Sequence, residues 1–107
     1  MSKQELEFRA LKLVEQHPTI TQRQLSKELG VSLGKAHYVI KALIEVGWIK
    51  LDNFQRSDNK IGYAYLLTPA GVIEKAKITR RFLIRKQQEF EQLKREIEQL
   101  QVEVDEF

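Results

Sequence analysis

Cysteine is absent from all 107 residues, which excludes disulfides and any thiolate-ligated metal. Histidine occurs only at His17 and His37, and neither has carboxylates at ligand spacing around it, so no metal site and no cofactor are expected. No nucleophile–base pair or phosphate-cradling glycine loop is present, so an enzyme is not expected either. The apolar runs are far too short to cross a bilayer. The opening segment MSKQELEF is charged from the start and lacks the character of a secretory signal. These absences make the cytoplasm the expected location. Proline and glycine are sparse, and neither occurs after Gly71, so nothing interrupts a helix over the last third of the chain.

What is present is strongly polarised in charge. Residues 1–86 carry 16 Lys/Arg against 8 Asp/Glu, whereas residues 87–107 carry 2 against 7. A basic body suits a polyanionic partner, and an acidic tail should point away from it.

The most informative segment is TQRQLSKELGVSLGKAHYVIKAL, Thr21 to Leu43. Thr21 and Gln24 have the spacing of a capping box, with Ile20 and Leu25 placed as its hydrophobic staple. Gly30 suits the left-handed position that ends a helix, and Ser32 caps the next almost at once. The expected helices are Lys3–Gln16, capped by Ser2 and stopped by Pro18, then Gln22–Leu29 and Leu33–Val46, the last ended by Gly47. Leu6, Ala10, Leu13 and Val14 share one face of the first. Two short helices across a glycine turn are the pattern of a helix-turn-helix, whose second helix usually enters the DNA major groove.

After Gly47 the period changes. Trp48–Phe54 and Tyr63–Leu67 read as a β-hairpin around a polar tip, Gln55–Lys60. Thr68 caps a last helix with Pro69 in its first position. The expected fold is therefore mainly α with a small β-hairpin (α+β): a winged helix-turn-helix over residues 1–70, and a long C-terminal helix over 71–107.

On the third helix, Ala36, Val39, Ile40 and Leu43 form the core side at 100° per residue. Gly34, Tyr38 and Lys41 lie opposite, with Lys35 and His37 flanking them. Ser32 and the first backbone N–H groups can hold a phosphate at the positive end of the helix dipole, and Gly34 allows close approach to the groove. Lys35, His37, Tyr38 and Lys41 can reach base edges or phosphates. Gln22 and Arg23 can touch phosphate or serve only as surface residues. Arg56 and Lys60 in the hairpin tip would lie along the backbone or in the minor groove. The motif, basic body and hairpin together favour DNA contact over a merely solvated face. His17, at the end of the first helix, reads as structural.

The segments TQRQLSKELGVSLGKAHYVIKALIEVGWIK, NFQRSDNKIGYAYLLTPAG and ITRRFLIRK carry a family likeness. The chain resembles the MarR-type winged-helix transcriptional regulators, and most closely the bacterial subgroup called EPS-associated (exopolysaccharide-associated) MarR regulators. Where MarR wings often carry Asp-x-Arg, this chain has Asp58-Asn59-Lys60, and lysine lacks arginine's planar fork. The resemblance implies a transcriptional role at genes for exopolysaccharide synthesis or export. It also implies small anionic or phenolic effectors between the winged domain and the dimer helices. The few residues ahead of the first helix give little with which to build that region, which argues against an effector pocket.

From Leu83 onward a heptad fits the last helix, with Leu83, Phe90, Ile97 and Val104 at a and Leu93, Leu100 and Phe107 at d. Lys86 interrupts the seam at the first d position. The expectation is a homodimer through this stripe rather than packing back on the same chain. Glu89 opposite Lys94 of a partner favours parallel pairing. The basic run Lys75, Lys77, Arg80, Arg81, Arg85 and Lys86 admits three roles: a second phosphate-contacting strip, solubility, or pairing with acidic residues of the partner. The function expected from all of this is a sequence-specific double-stranded DNA-binding regulator, dimeric on a pseudo-palindromic operator. The competing reading is a winged-helix protein-interaction module that recruits a partner through its C-terminal helix.

Overall fold

Ser2, Thr21, Ser32 and Thr68 each stand in extended backbone just ahead of a helix, and each side chain accepts a hydrogen bond from the backbone N–H three residues on. These four caps divide the chain. In the computed structural model, which describes residues 2–55 and 61–107, the elements run α1 (Lys3–Gln16), α2 (Gln22–Leu29), α3 (Leu33–Glu45), β1 (Ile49–Gln55), β2 (Ile61–Leu67) and α4 (Pro69–Asp105). The capping box is reciprocal: Gln24 N–H donates to Thr21 Oγ1 at 3.1 Å, and Thr21 N–H donates to Gln24 Oε1 at 3.0 Å. Gly30 ends α2 at φ 69° and Gly47 follows α3 at φ 85°, both in the left-handed region where a side chain is strained. Val46 proves to be the C-cap of α3 rather than its last helical residue.

The two strands pair antiparallel, with Ile49 opposite Leu67, Leu51 opposite Tyr65 and Asn53 opposite Tyr63. Tyr65 N–H also donates to the Pro18 carbonyl at 2.8 Å, which pins the hairpin to the α1–α2 linker. Beneath it lies a core drawn from every helix: Leu6, Ala10, Leu11 and Val14 of α1, Leu25 and Leu29 of α2, Ala36, Val39, Ile40 and Leu43 of α3, with Ile20, Ile49 and Ile78. The buried face of α1 is turned from the one the sequence suggests. Leu11 is fully buried, and Leu13 only packs against the core from its edge. The reason is that α1 is contacted by α2, α3, β2 and α4 at once, so its buried arc is wide.

Helix α4 leaves β2 through Thr68 alone and runs antiparallel to α1. Lys75 Nζ meets Glu15 at 2.6 Å, the Phe82 ring stacks on Phe8 with centroids 5.2 Å apart, and Arg85 meets Glu5 at 2.8 Å. The Arg85 guanidinium also sits 4.4 Å from the centre of the Phe82 ring. These ion pairs are partly solvated, so each contributes about 1 kcal/mol at most; the Phe8–Phe82 contact does more to fix the angle between the helices. They also bear on the basic run: Lys75 and Arg85 are committed to carboxylates of α1, so a continuous phosphate strip through all six residues is not formed. Beyond Arg85 the helix has passed the end of α1, and every residue from Lys86 to Phe107 is exposed. Among the described residues no helix is long and apolar enough to cross a membrane.

Candidate nucleic-acid interface

Helix α3 divides cleanly. Ala36, Val39, Ile40 and Leu43 are buried, while Ser32, Gly34, Lys35, His37, Tyr38 and Lys41 are all exposed. The division follows from periodicity, because the core side must face α1 and α2, which leaves a polar strip on the other side. Ser32 Oγ accepts from Lys35 N–H at 3.1 Å, which orders the first turn and leaves further N–H groups at its positive end.

Neighbouring contacts order several of these side chains. The Lys35 ammonium lies 5.1 Å from the centre of the Tyr38 ring, holding a cation and an aromatic edge together on the outer face. His37 Nδ1 is 3.1 Å from Gln22 Oε1, a hydrogen bond that ties the outer face of α3 to the start of α2. Gln22 is thereby half-buried and acts as a strut, whereas Arg23 beside it is exposed. The structure thus brings Gln22, Ser32, Gly34, Lys35, His37, Tyr38 and Lys41 onto one surface of the helix-turn-helix. Arg56 and Lys60 lie outside the described residues.

Gly34 has no heavy atom within 4 Å of where a Cβ would stand, so nothing in the free protein requires glycine there. Gly34→Ala should therefore stabilise the fold by about 0.5 kcal/mol. If α3 lies tight in a groove, the same methyl should weaken DNA binding about tenfold. Thermal melts and binding isotherms on one preparation would separate the two effects, and unchanged affinity would remove Gly34 from the contact surface.

An open groove of about 670 Å³ between α1 and α3 borders this surface, lined in part by Leu6, Tyr38, Val46 and Trp48. Sequence reasoning missed the joint that orients the hairpin against α4. Thr68 Oγ1 donates to the Gly47 carbonyl and accepts from Gly71 N–H, while Thr68 N–H donates to the Trp48 carbonyl at 3.0 Å. Thr68 is legible as a cap from its neighbours, but its bonds to Gly47 and Trp48 cross about twenty residues and leave no local signal.

Residues 3–50 match the family model described as winged helix-turn-helix DNA-binding. Among solved structures, the transcriptional regulator SlyA is 25% identical with a TM-score of 0.61, over 76% of this chain and 56% of that one. Staphylococcus aureus MarR, solved with salicylate and kanamycin, is 24% identical with a TM-score of 0.54, over 77% of this chain and 53% of that one. A PadR-like transcriptional regulator from Bacillus cereus strain ATCC 14579 shares the fold at 17% identity with a TM-score of 0.71, over 82% of this chain and 90% of that one. The chain spans little more than half the length of the first two. No curated protein matches the sequence.

Proposed function

We infer that the chain is a MarR-type winged helix-turn-helix protein that binds double-stranded DNA in a sequence-specific way and regulates transcription. The observation that carries this reading is the outer face of α3, where Ser32, Gly34, Lys35, His37, Tyr38 and Lys41 are exposed on a helix whose other side is wholly core. Lys35 and Lys41 supply charge for phosphates or guanine acceptors, and His37 and Tyr38 reach base edges at short range. Ser32 and the capped helix start receive a phosphate. Arg23, exposed at the start of α2, touches the backbone to one side.

The active species is a homodimer joined through α4, which places two α3 helices in successive major grooves about 34–36 Å apart. The operator is accordingly a pseudo-palindrome. The likeness to the EPS-associated subgroup supports genes of exopolysaccharide synthesis or export as targets, read in the cytoplasm.

Fluorescence anisotropy with the duplex upstream of the protein's own operon, against a shuffled duplex of equal length, tests this. The expected result is a preference of about a thousandfold that falls steeply with added salt, because bound lysines and arginines displace counterions. Binding to neither duplex, at any salt, would move the chain to the class of winged-helix interaction modules.

A further inference from the structure

Among the described residues, the distal half of α4 packs against no other element. Every residue from Lys86 to Phe107 is exposed, yet the stripe Phe90, Leu93, Ile97, Leu100 and Val104 leaves 54–65% of each residue in water. Scattered apolar residues are ordinary on a surface; a continuous stripe at 3.5-residue spacing is not. The antiparallel packing on α1 ends at the Glu5–Arg85 pair, so residues 86–105 project about 30 Å past the body, out of reach of its core.

We propose that this segment pairs with the same segment of a second copy as a parallel, in-register, two-stranded coiled coil. The proposal rests on the dimeric reading above and adds orientation, register and strand number to it.

Three features of the helix point the same way. In the last two heptads Ile97 and Val104 occupy a, after Phe90, and Leu93 and Leu100 occupy d, so that stretch has the β-branched-at-a, leucine-at-d arrangement that favours two parallel strands. The flanking charges agree. Positions g are Glu89, Glu96 and Glu103, and positions e are Gln87, Lys94 and Gln101. In a parallel pair each g faces an e of the next heptad, so Glu89 meets Lys94 of the partner subunit and Glu96 meets a glutamine. In an antiparallel pair g faces g, and rows of glutamates oppose one another. The third feature is placement: a parallel pair sets both winged domains at one end, side by side. An antiparallel pair holds them at opposite ends of a rod, where neighbouring half-sites cannot be reached together.

The absence of cysteine makes the test direct, since any introduced thiol is the only one. Leu93→Cys and Leu100→Cys are made singly in the full chain, and sedimentation under reducing conditions establishes the oligomeric state of each before mild oxidation. In a parallel in-register pair, like d positions face each other, and both variants should form disulfide-linked dimers. An antiparallel pair can bring at most one of the two positions near its own copy. A dimer that cross-links at one site or neither overturns the orientation while leaving the dimer standing. A monomeric wild-type chain at tens of micromolar overturns the dimer as well.

Glu89→Lys gives an independent reading of sign. Parallel pairing predicts dimerisation about threefold weaker, restored by adding Lys94→Glu. Dimerisation that is tighter in Glu89→Lys overturns the proposal.

Discussion

Replacing Leu93 and Leu100 together by glutamate should separate the protein into monomers and lower its affinity for a two-half-site operator by about a hundredfold or more. The winged domain should be untouched. Its buried side chains end at Ile78, and both replaced residues are already more than half exposed in the isolated chain. Four carboxylates would instead be forced into the seam between two helices, where burial without partners is far more costly than one such pair in water. The affinity loss follows from effective concentration: once one winged domain is seated, a linked second domain finds its half-site at a local concentration far above that in solution. Size-exclusion chromatography with light scattering would read the dissociation, and anisotropy on full and half operators would read the linkage. A variant that stays dimeric, or a monomer that binds the full operator as tightly as the wild type, would refute the coupling of helix pairing to DNA binding.

Gly71→Ala should destabilise the fold by about 3 kcal/mol, equivalent to a fall in Tm of roughly 15 °C for a domain of this size. A Cβ built on Gly71 overlaps the Trp48 carbonyl oxygen and lies 2.8 Å from its carbonyl carbon, with a Leu67 methyl 3.1 Å away. Two of these neighbours are backbone, so no rotamer change makes room. Either α4 lifts off, or Gly47–Trp48 shifts and weakens the two hydrogen bonds that Thr68 makes there. The contrast with Gly34 is informative: the same added methyl, also in the first turn of a helix, is expected to help at one site and to do serious harm at the other. Differential scanning calorimetry on the two variants would show whether their shifts have opposite signs.

Much of this architecture was legible because its signals are local. Caps at Ser2, Thr21, Ser32 and Thr68, the left-handed glycine at Gly30 and the core side of α3 depend on residues within a turn or two of one another. The exposed face of α3 followed from the same periodicity, since what is not core must be surface. What escaped was long-range. Leu11 lies about 100° around the helix from Ala10 and is buried as well because α1 is packed by α2, α3, β2 and α4 at once. The pairing of Lys75 with Glu15 and of Arg85 with Glu5 joins residues 60 and 80 positions apart, so none of the three roles open to the basic run of α4 included pairing within the chain. Gly71 read as one member of a motif, and its physical requirement appeared only once the Trp48 carbonyl was seen against it.

The single residue between β2 and α4 has a mechanical consequence. With Thr68 the only connection, and held by hydrogen bonds on three sides, hairpin and helix turn as one piece. Helix α4 is a lever about 55 Å long, so a tilt of ten degrees at that joint would move its far end by about 10 Å. If two such domains are joined through α4 on one operator, a change of one base pair in half-site spacing would load the Thr68 joint and the α1–α4 packing at Phe8–Phe82 together. Tolerance for such sites should then vary with the stiffness of that proximal packing more than with the strength of the distant seam.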